Sequence, residues 1–142
     1  MSSLRILTFN WHDPYLFTLA KTRHRFEVAD WMVRGDGTRG WDLKKRPLPD
    51  NLNLLRAEGD ATDLLQDGSC DLVLCHTLQD LNFITKFNVP AIFLTHNALN
   101  NDALDNHEQM TRMRDGVNNY LKAKRGTFAA ISQMKLLLFL VI

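Results

Sequence analysis

The segment from Asp71 to Asn97 limits the possible folds more than any other part of the chain. It contains an apolar run, an amphipathic helical pattern and a second apolar run: DLVLC, LQDLNFITKF and AIFLT. Two short apolar runs joined by such a helix are typical of buried parallel strands. A histidine follows each strand, His76 and His96, so both are expected at the edge of the sheet where open α/β folds bind ligands.

The same alternation runs through the rest of the sequence. Strand candidates begin near residues 4, 25, 52, 71, 91 and 127, with helical patterns between them. This predicts an α/β fold, a Rossmann-like open parallel sheet of about six strands with helices on both faces. The 142 residues are expected to form a single domain. Asp13, which precedes Pro14, is predicted to cap the first helix, and Asp60 a later one.

Composition and charge narrow the possible partners and compartments. The formal net charge of +1 gives no support for a nucleic-acid partner. Cys70 and Cys75 are expected on opposite faces of one strand, which favours reduced thiols and a cytoplasmic protein. The N-terminus lacks the pattern of a signal peptide, and no apolar run approaches the roughly 20 residues of a membrane span.

Two segments interrupt the alternating pattern. A long loop is predicted at residues 35–50, where Lys44, Lys45 and Arg46 form a basic cluster. Such a cluster is usually solvated, but it can also attract an anionic acceptor or a lipid headgroup, so peripheral membrane contact is one interpretation. The apolar tail at residues 136–142, LLLFLVI, indicates either a piece of a longer protein or a surface for self-association or a partner subunit.

The histidines are the main candidates for chemistry. His96 is the predicted catalytic residue, because an imidazole serves as a base or an electrostatic contact near neutral pH. His12, Asp13, His76 and Asn97 are the predicted substrate-binding residues. The first strand–helix turn, NWHDPY, has no glycine, which argues against a dinucleotide there, and no cofactor is expected. Three histidines on one edge would suffice for a metal, but no motif fixes their spacing, so none is predicted.

Three motifs in this order resemble a known family. They are D-x-V-x-x-H at Asp71–His76, P-x-I-x-x-x-H at Pro90–His96, and a strand that ends in Ile-Ser at Phe128–Ser132. Together with the long helix before the last strand, they are similar to the N-terminal half of retaining GT-B glycosyltransferases of the glycosyltransferase family 4 type. The resemblance covers nearly the whole chain.

The resemblance implies a function and also shows what the chain lacks. It implies a domain that holds a sugar or lipid acceptor, with His96 close to a sugar transferred from a nucleotide-sugar donor, and no essential metal. In the family a second domain with an E-x-x-x-x-x-x-x-E motif holds the donor. The three glutamates here are too far apart to form that motif: Glu27, Glu58 and Glu108. The chain alone is therefore expected to be inactive, and a truncation or reading-frame change near Lys135 would explain the missing half.

Other function classes stay open on the sequence alone. The chain could be a non-catalytic α/β binding module, or one subunit of a two-chain transferase whose apolar tail forms the interface. A small α/β hydrolase or metal enzyme that uses the histidine edge is a further interpretation.

Overall fold

The computed structural model of the chain describes residues 2–33, 37, 40–95, 107–123 and 126–130. Within these ranges strands and helices alternate, and each recorded strand pairing is parallel. The predicted α/β class, with parallel strands joined by helices, is therefore confirmed. The strands are β1 (Arg5–Phe9), β2 (Arg25–Ala29), β3 (Leu52–Leu55), β4 (Leu72–Cys75), β5 (Ala91–Thr95) and β6 (Gly126–Ala130). The helices are α1 (Asp13–Leu19), α2 (Glu58–Gln66), α3 (Leu78–Ile84) and α4 (His107–Ala123).

The chain divides into two compact units, Met1–Leu74 and Cys75–Ile142. In the first unit β1 lies between β2 and β4, and β3 pairs with the other edge of β2. Leu7 of β1 is in register with Val73 of β4, and neither has any exposed surface. Since the strands are parallel, their carboxyl ends share one edge of this sheet.

A buried glutamate in the middle of β2 is the main polar feature of the sheet that the sequence analysis did not anticipate. Glu27 has no exposed surface. Its carboxylate accepts hydrogen bonds from Arg5 Nε at 2.9 Å and Asn53 Nδ2 at 2.7 Å, and Arg25 Nε lies 3.3 Å away. A buried charge is tolerated when it is paired and hydrogen-bonded, so we interpret this network as structural.

In the second unit β5 pairs with β6, and α4 packs against both α3 and β6. Gly116 of α4 permits the approach of α3, because a Cβ atom there would lie 3.0 Å from Leu78 Cδ2. The amphipathic pattern predicted for LQDLNFITKF faces the interior of the unit: Leu81, Ile84 and Phe87 are buried, and Leu78 is half-buried. On α4 the side chains of Val117 and Tyr120 are buried.

Two helix starts differ from the prediction. The N-cap of α1 is His12, with extended backbone at φ −159° and ψ 101°, and Asp13 is the first helical residue. The N-cap of α2 is Ala57, and Asp60 lies inside the helix, where its carboxylate accepts a hydrogen bond from Ala57 N at 3.2 Å. Both predicted N-caps are therefore wrong. Asp13 accepts a hydrogen bond from Asp42 N instead of capping α1, and Asp60 accepts one from the N-cap residue Ala57.

Several predicted segments fall outside the described residues. They include the apolar tail at 136–142 and the Ile-Ser pair that follows β6. The loop predicted at 35–50 is described at residue 37 and from residue 40 onward. Across the described ranges, no helix has the length and apolar character needed to cross a bilayer.

Candidate functional site

The first strand–helix turn is joined to the connection between β2 and β3. Asp13 is buried, and its Oδ2 accepts a hydrogen bond from Asp42 N at 3.0 Å. His12 is exposed at the N-cap of α1, and its ring centroid lies 5.4 Å from that of Trp11. Of these two predicted substrate-binding residues, only His12 has a side chain open to a ligand, while Asp13 holds the neighbouring loop in place.

Asp30 directly follows β2 and forms the centre of the carboxyl edge in the first unit. Its side chain has no exposed surface. Oδ1 accepts a hydrogen bond from Asn10 Nδ2 at 2.6 Å, and Oδ2 accepts one from Trp41 N at 3.1 Å. Oδ2 also forms an ion pair with Arg56 Nη1. Both carboxylate oxygens are therefore engaged by donors from three different segments.

The loop after residue 40 closes over this carboxylate. Gly40 has φ +77°, a conformation that L side chains rarely adopt, and a Cβ atom there would lie 3.5 Å from Arg56 Nη1. Trp41 is buried, and its Nε1 donates to Arg46 O at 3.0 Å. The glycine and the buried indole thus fix the loop over Asp30, which excludes solvent from its side chain.

This arrangement bears directly on nucleotide binding. Dinucleotide-binding folds use an acidic residue about 20 residues after the first turn to bind ribose hydroxyls. Asp30 has a comparable position at the end of β2, yet its oxygens already accept from Asn10, Trp41 and Arg56 and have no exposed surface. Together with the glycine-free first turn, this makes the edge unsuitable for a dinucleotide bound in the usual way.

Arg56, directly after β3, is a cationic group that this edge presents to solvent. Its guanidinium is fixed by the ion pair with Asp30, yet 57% of its side chain is exposed. A guanidinium has five N–H donors in a rigid planar fork, so part of it can still bind a carboxylate, a phosphate or a sugar hydroxyl. Sequence analysis did not identify Asp30 and Arg56 as site residues. Each is a charged residue directly after a strand, β2 and β3 respectively, and this pattern could have indicated them.

In the second unit, His76 lies between β4 and α3. The residue is 6% exposed, and its backbone N donates to Asp80 Oδ2 at 2.7 Å. The same oxygen accepts Thr77 N at 3.0 Å, and Asp80 N donates to Thr77 Oγ1 at 3.2 Å, which completes a capping box at the start of α3. His76 is thus a buried neighbour of a helix cap, and a ligand has little access to it.

Among the described residues of that unit, Asp80 is the carboxylate with the most strongly shifted pKa. Burial raises the pKa of Asp80 from 3.8 to about 6, although the hydrogen bonds from His76 and Thr77 act in the opposite direction. Burial, and then the charge of Asp80, also raise the pKa of the Cys75 thiol well above its ordinary value. A buried thiol with a raised pKa is a poor nucleophile, so Cys75 is not a candidate for covalent catalysis.

The predicted catalytic residue, His96, lies outside the described residues, and so does Asn97. The strand that leads to them is present as predicted, with β5 ending at Thr95. Among the described side chains, no group of three His, Cys, Asp or Glu residues could hold a metal ion. The assignment of His96 and Asn97 therefore stays a prediction.

An open cavity of about 350 Å³ lies in the first unit, but at the opposite edge of the sheet. Its wall includes Ala20, in the short 3-10 turn before β2, and Asn51, directly before β3. Asn51 is fixed there, because its Nδ2 donates to the backbone oxygens of Ala20 at 2.8 Å and His24 at 2.7 Å. Ligands of open α/β sheets bind beyond the carboxyl ends of the strands, so we do not assign this cavity to the candidate site.

Comparison with known proteins gives one structural match. No family model matches the chain, and no curated protein does. The chain is similar to the crystal structure of the glycosyltransferase SnogD from Streptomyces nogalater, with 19% sequence identity and a TM-score of 0.45. The match covers 93% of this chain and 33% of SnogD, so the chain spans about a third of that protein's length. At this TM-score the match does not establish a common fold.

Proposed function

We propose that the chain is the acceptor-side, N-terminal half of a GT-B glycosyltransferase of the family 4 type. In that role it would bind a sugar or lipid acceptor that receives a sugar from a nucleotide-sugar donor. The three motifs that resemble the family coincide with strands: Asp71–His76 contains β4, Pro90–His96 contains β5, and Phe128–Ser132 overlaps the end of β6. Their order along an α/β chain with parallel strands supports this proposal.

The observation that carries the proposal is that the Asp30 carboxylate is buried and both of its oxygens already have hydrogen-bond donors. In this unit the acidic residue after β2 is engaged by Asn10, Trp41 and Arg56, so it cannot make the usual contact to a nucleotide ribose. Two polar groups that are exposed at this edge, His12 and Arg56, suit hydroxyl and anionic groups. Such a unit is better suited to an acceptor than to a nucleotide donor.

Within this proposal the predicted residues have distinct roles. His96 acts next to the reacting sugar as a base or an electrostatic contact, with Asn97 beside it. His12 contacts the acceptor directly. Asp13 and His76 are buried, so we assign them to positioning, through Asp42 N and through the cap of α3 respectively.

The first test uses the chain of 142 residues by itself. Incubation with a panel of nucleotide sugars and simple glycosides should release no nucleoside diphosphate above the buffer blank, because no donor-binding motif is present. Calorimetric titration with nucleoside diphosphates should show no binding at millimolar concentration. Glycosyl transfer by the isolated chain would overturn the division of roles that we propose.

A second test addresses His96 in a form of the protein that includes a donor domain. His96→Ala should lower kcat by about 100-fold or more with little change in KM for the acceptor, as expected for a group that acts in the transition state. His24→Ala is the matched control, since His24 precedes β2 at the opposite edge. Equal kcat values for the two variants would remove His96 from the catalytic assignment.

The non-catalytic alternatives make a different prediction. A binding module would bind acceptor glycosides and yet show no transfer in any longer form, whereas one subunit of a two-chain transferase would become active with its partner. Molar mass by size-exclusion chromatography with light scattering separates these cases, because a stable monomer argues against an exposed subunit interface.

A further inference from the structure

The connection between β2 and β3 contains a short turn with an unusual surface. In the turn Asp42–Arg46, which we call the basic turn, Leu43 is 57% exposed. The next two residues, Lys44 and Lys45, are exposed, and Arg46 is half-buried. A single exposed leucine is ordinary on a protein surface, but this one lies directly beside three consecutive cations.

The basic turn is held together by Asp42. The Asp42 Oδ1 atom accepts hydrogen bonds from Lys44 N at 3.1 Å and Lys45 N at 3.3 Å. The Asp42 backbone oxygen accepts Lys45 N at 3.1 Å and Arg46 N at 3.0 Å. Burial alone would raise the pKa of Asp42, but the hydrogen bonds from Lys45 and Lys44 outweigh it and keep that pKa below its usual value. The turn therefore keeps its charged cap throughout the neutral pH range.

The turn is also anchored to the body of the first unit on both sides. Asp42 N donates to buried Asp13, and the preceding Trp41 N donates to buried Asp30 at 3.1 Å. Trp41 Nε1 then binds the backbone oxygen of Arg46 at 3.0 Å. Leu43 is thus presented by a fixed turn, so a partner that buries it does not first have to order the loop.

The composition of the basic turn favours one kind of partner. The three cations exceed the single carboxylate of Asp42, which Lys45 Nζ approaches at 3.4 Å, so the turn has an excess of positive charge. Cations that flank a short apolar anchor are the combination that binds bilayers with anionic lipids, where charges meet headgroups and the apolar group enters the acyl boundary. We propose that the basic turn docks the protein on the surface of an anionic lipid bilayer, independently of the proposed transferase activity.

The expected strength follows from the groups involved. Each Lys or Arg close to an anionic surface contributes about a fivefold gain in binding. The carboxylate of Asp42 offsets one of the three cations, so the turn contributes about 25-fold. Insertion of a half-exposed leucine side chain adds roughly tenfold. The product corresponds to weak, reversible binding that is measurable at millimolar lipid.

Sedimentation of the whole chain with vesicles tests the proposal. We expect binding to vesicles of phosphatidylcholine with about 30% phosphatidylglycerol, a loss of that binding in high salt, and little binding to pure phosphatidylcholine. The double variant Lys44→Ala/Lys45→Ala should lower binding about 25-fold, and Leu43→Ala about fivefold. The control is Lys21→Ala/Lys122→Ala, which removes two exposed lysines elsewhere and should bind as the unmodified chain does.

Four results of this experiment would contradict the proposal. Absence of binding to anionic vesicles at millimolar lipid overturns it. An equal loss of binding in the control variant would mean that net charge alone is responsible. Unchanged binding of Leu43→Ala would show that the leucine does not enter the bilayer, and binding to neutral vesicles that persists in all variants would place the contact outside the basic turn. Because the substituted side chains are exposed, circular dichroism should confirm that every variant is folded.

Discussion

Asp30 in the first unit and Asp80 in the second are both buried carboxylates near the carboxyl end of a strand, with 4% and 3% of each residue exposed. Asp30 is compensated by a cation, because Arg56 pairs with its Oδ2. The described bonds of Asp80 come from neutral donors, the backbone N–H groups of His76 and Thr77. Burial raises the pKa of Asp80 to about 6. Neutral donors therefore satisfy the hydrogen bonds of this carboxylate without offsetting the cost of burying its charge.

The contrast matters for what each unit can contribute. At the edge of the first unit, Asp30 holds Arg56 and the loop at Trp41 in one arrangement. A binding surface that is fixed before the ligand arrives favours a ligand of matching shape. In the second unit, Asp80 is a capping residue whose charge is unfavourable above about pH 6. Ionisation of Asp80 should therefore lower the stability of the second unit as the pH rises.

The largest effect is expected from removal of the Asp30 carboxylate. Asp30→Ala should destabilise the protein by about 3 to 4 kcal/mol, because it leaves Trp41 N and Asn10 Nδ2 without their acceptor and frees Arg56. Because the Arg56 guanidinium is partly exposed, water can solvate it in the variant, so the loss of stability should be smaller than for a fully buried ion pair. Urea unfolding followed by circular dichroism measures the change.

A matched control for this substitution is Asp50→Ala, which removes an exposed carboxylate from the same connection. It should change the free energy of unfolding by less than about 0.5 kcal/mol. If Asp30→Ala were no more destabilising than this control, the Asp30 cluster would not hold the loop, and the edge would not be closed to a nucleotide.

The second prediction concerns Asp80→Asn, which keeps the cap oxygen but cannot ionise. Since the folded-state pKa of about 6 exceeds the ordinary 3.8, the folded protein holds this proton more tightly than the unfolded chain does. The contribution of Asp80 to the stability of the unmodified protein should therefore fall as pH rises from about 4 to about 6, by roughly 1.4 kcal/mol per unit. The unfolding free energy of Asp80→Asn, measured relative to that of the unmodified protein, should rise by on the order of 2 to 3 kcal/mol across that window. Above it the difference should stay constant.

The measurement is the difference in unfolding free energy between the variant and the unmodified protein at a series of pH values. Taking the difference removes the contribution of the other titrating groups. Asp63→Asn makes the same chemical change at an exposed position on α2 and serves as the control for it. A difference for Asp80→Asn that does not vary with pH would mean that Asp80 is ionised normally in the folded protein.

Most of the fold was predictable because short-range patterns determine it. The run AIFLT is β5, since an uninterrupted apolar segment between turn residues has few alternatives to a buried strand. The strand predicted to begin near residue 25 is β2, although its sequence RFEVA includes Arg25 and Glu27. The N-caps were harder to predict. Asp13 and Asp60 both lie near a helix start, but the spacing of residues does not show which backbone N–H each carboxylate will reach.

The candidate site was only partly predictable, for a different reason. The partners of Asp30 come from three segments, at Asn10, Trp41 and Arg56, and no local pattern brings such segments together. A charged residue after a strand is visible in the sequence, but its burial and its partners depend on the register of the parallel strands and on the path of the loop at Gly40.

The smallest predicted effect tests the polar interior of the second unit. Tyr120 is buried, and among the described residues its hydroxyl has no hydrogen-bond partner. Burial, and then the charge of Cys75, raise the pKa of Tyr120. Tyr120→Phe removes the unpaired hydroxyl and keeps the ring, so the free energy of unfolding should stay the same or rise by up to about 1 kcal/mol.

Val117→Ala on the same helix provides the contrast for this prediction. Val117 is 1% exposed, and its truncation should cost roughly 2 kcal/mol through lost packing, which shows that α4 is sensitive to substitution. Urea unfolding of the two variants under identical conditions gives the comparison. A loss of more than about 1 kcal/mol in Tyr120→Phe would mean that the hydroxyl is hydrogen-bonded after all. The second unit would then resemble the Asp30 cluster, in which each carboxylate oxygen has a donor.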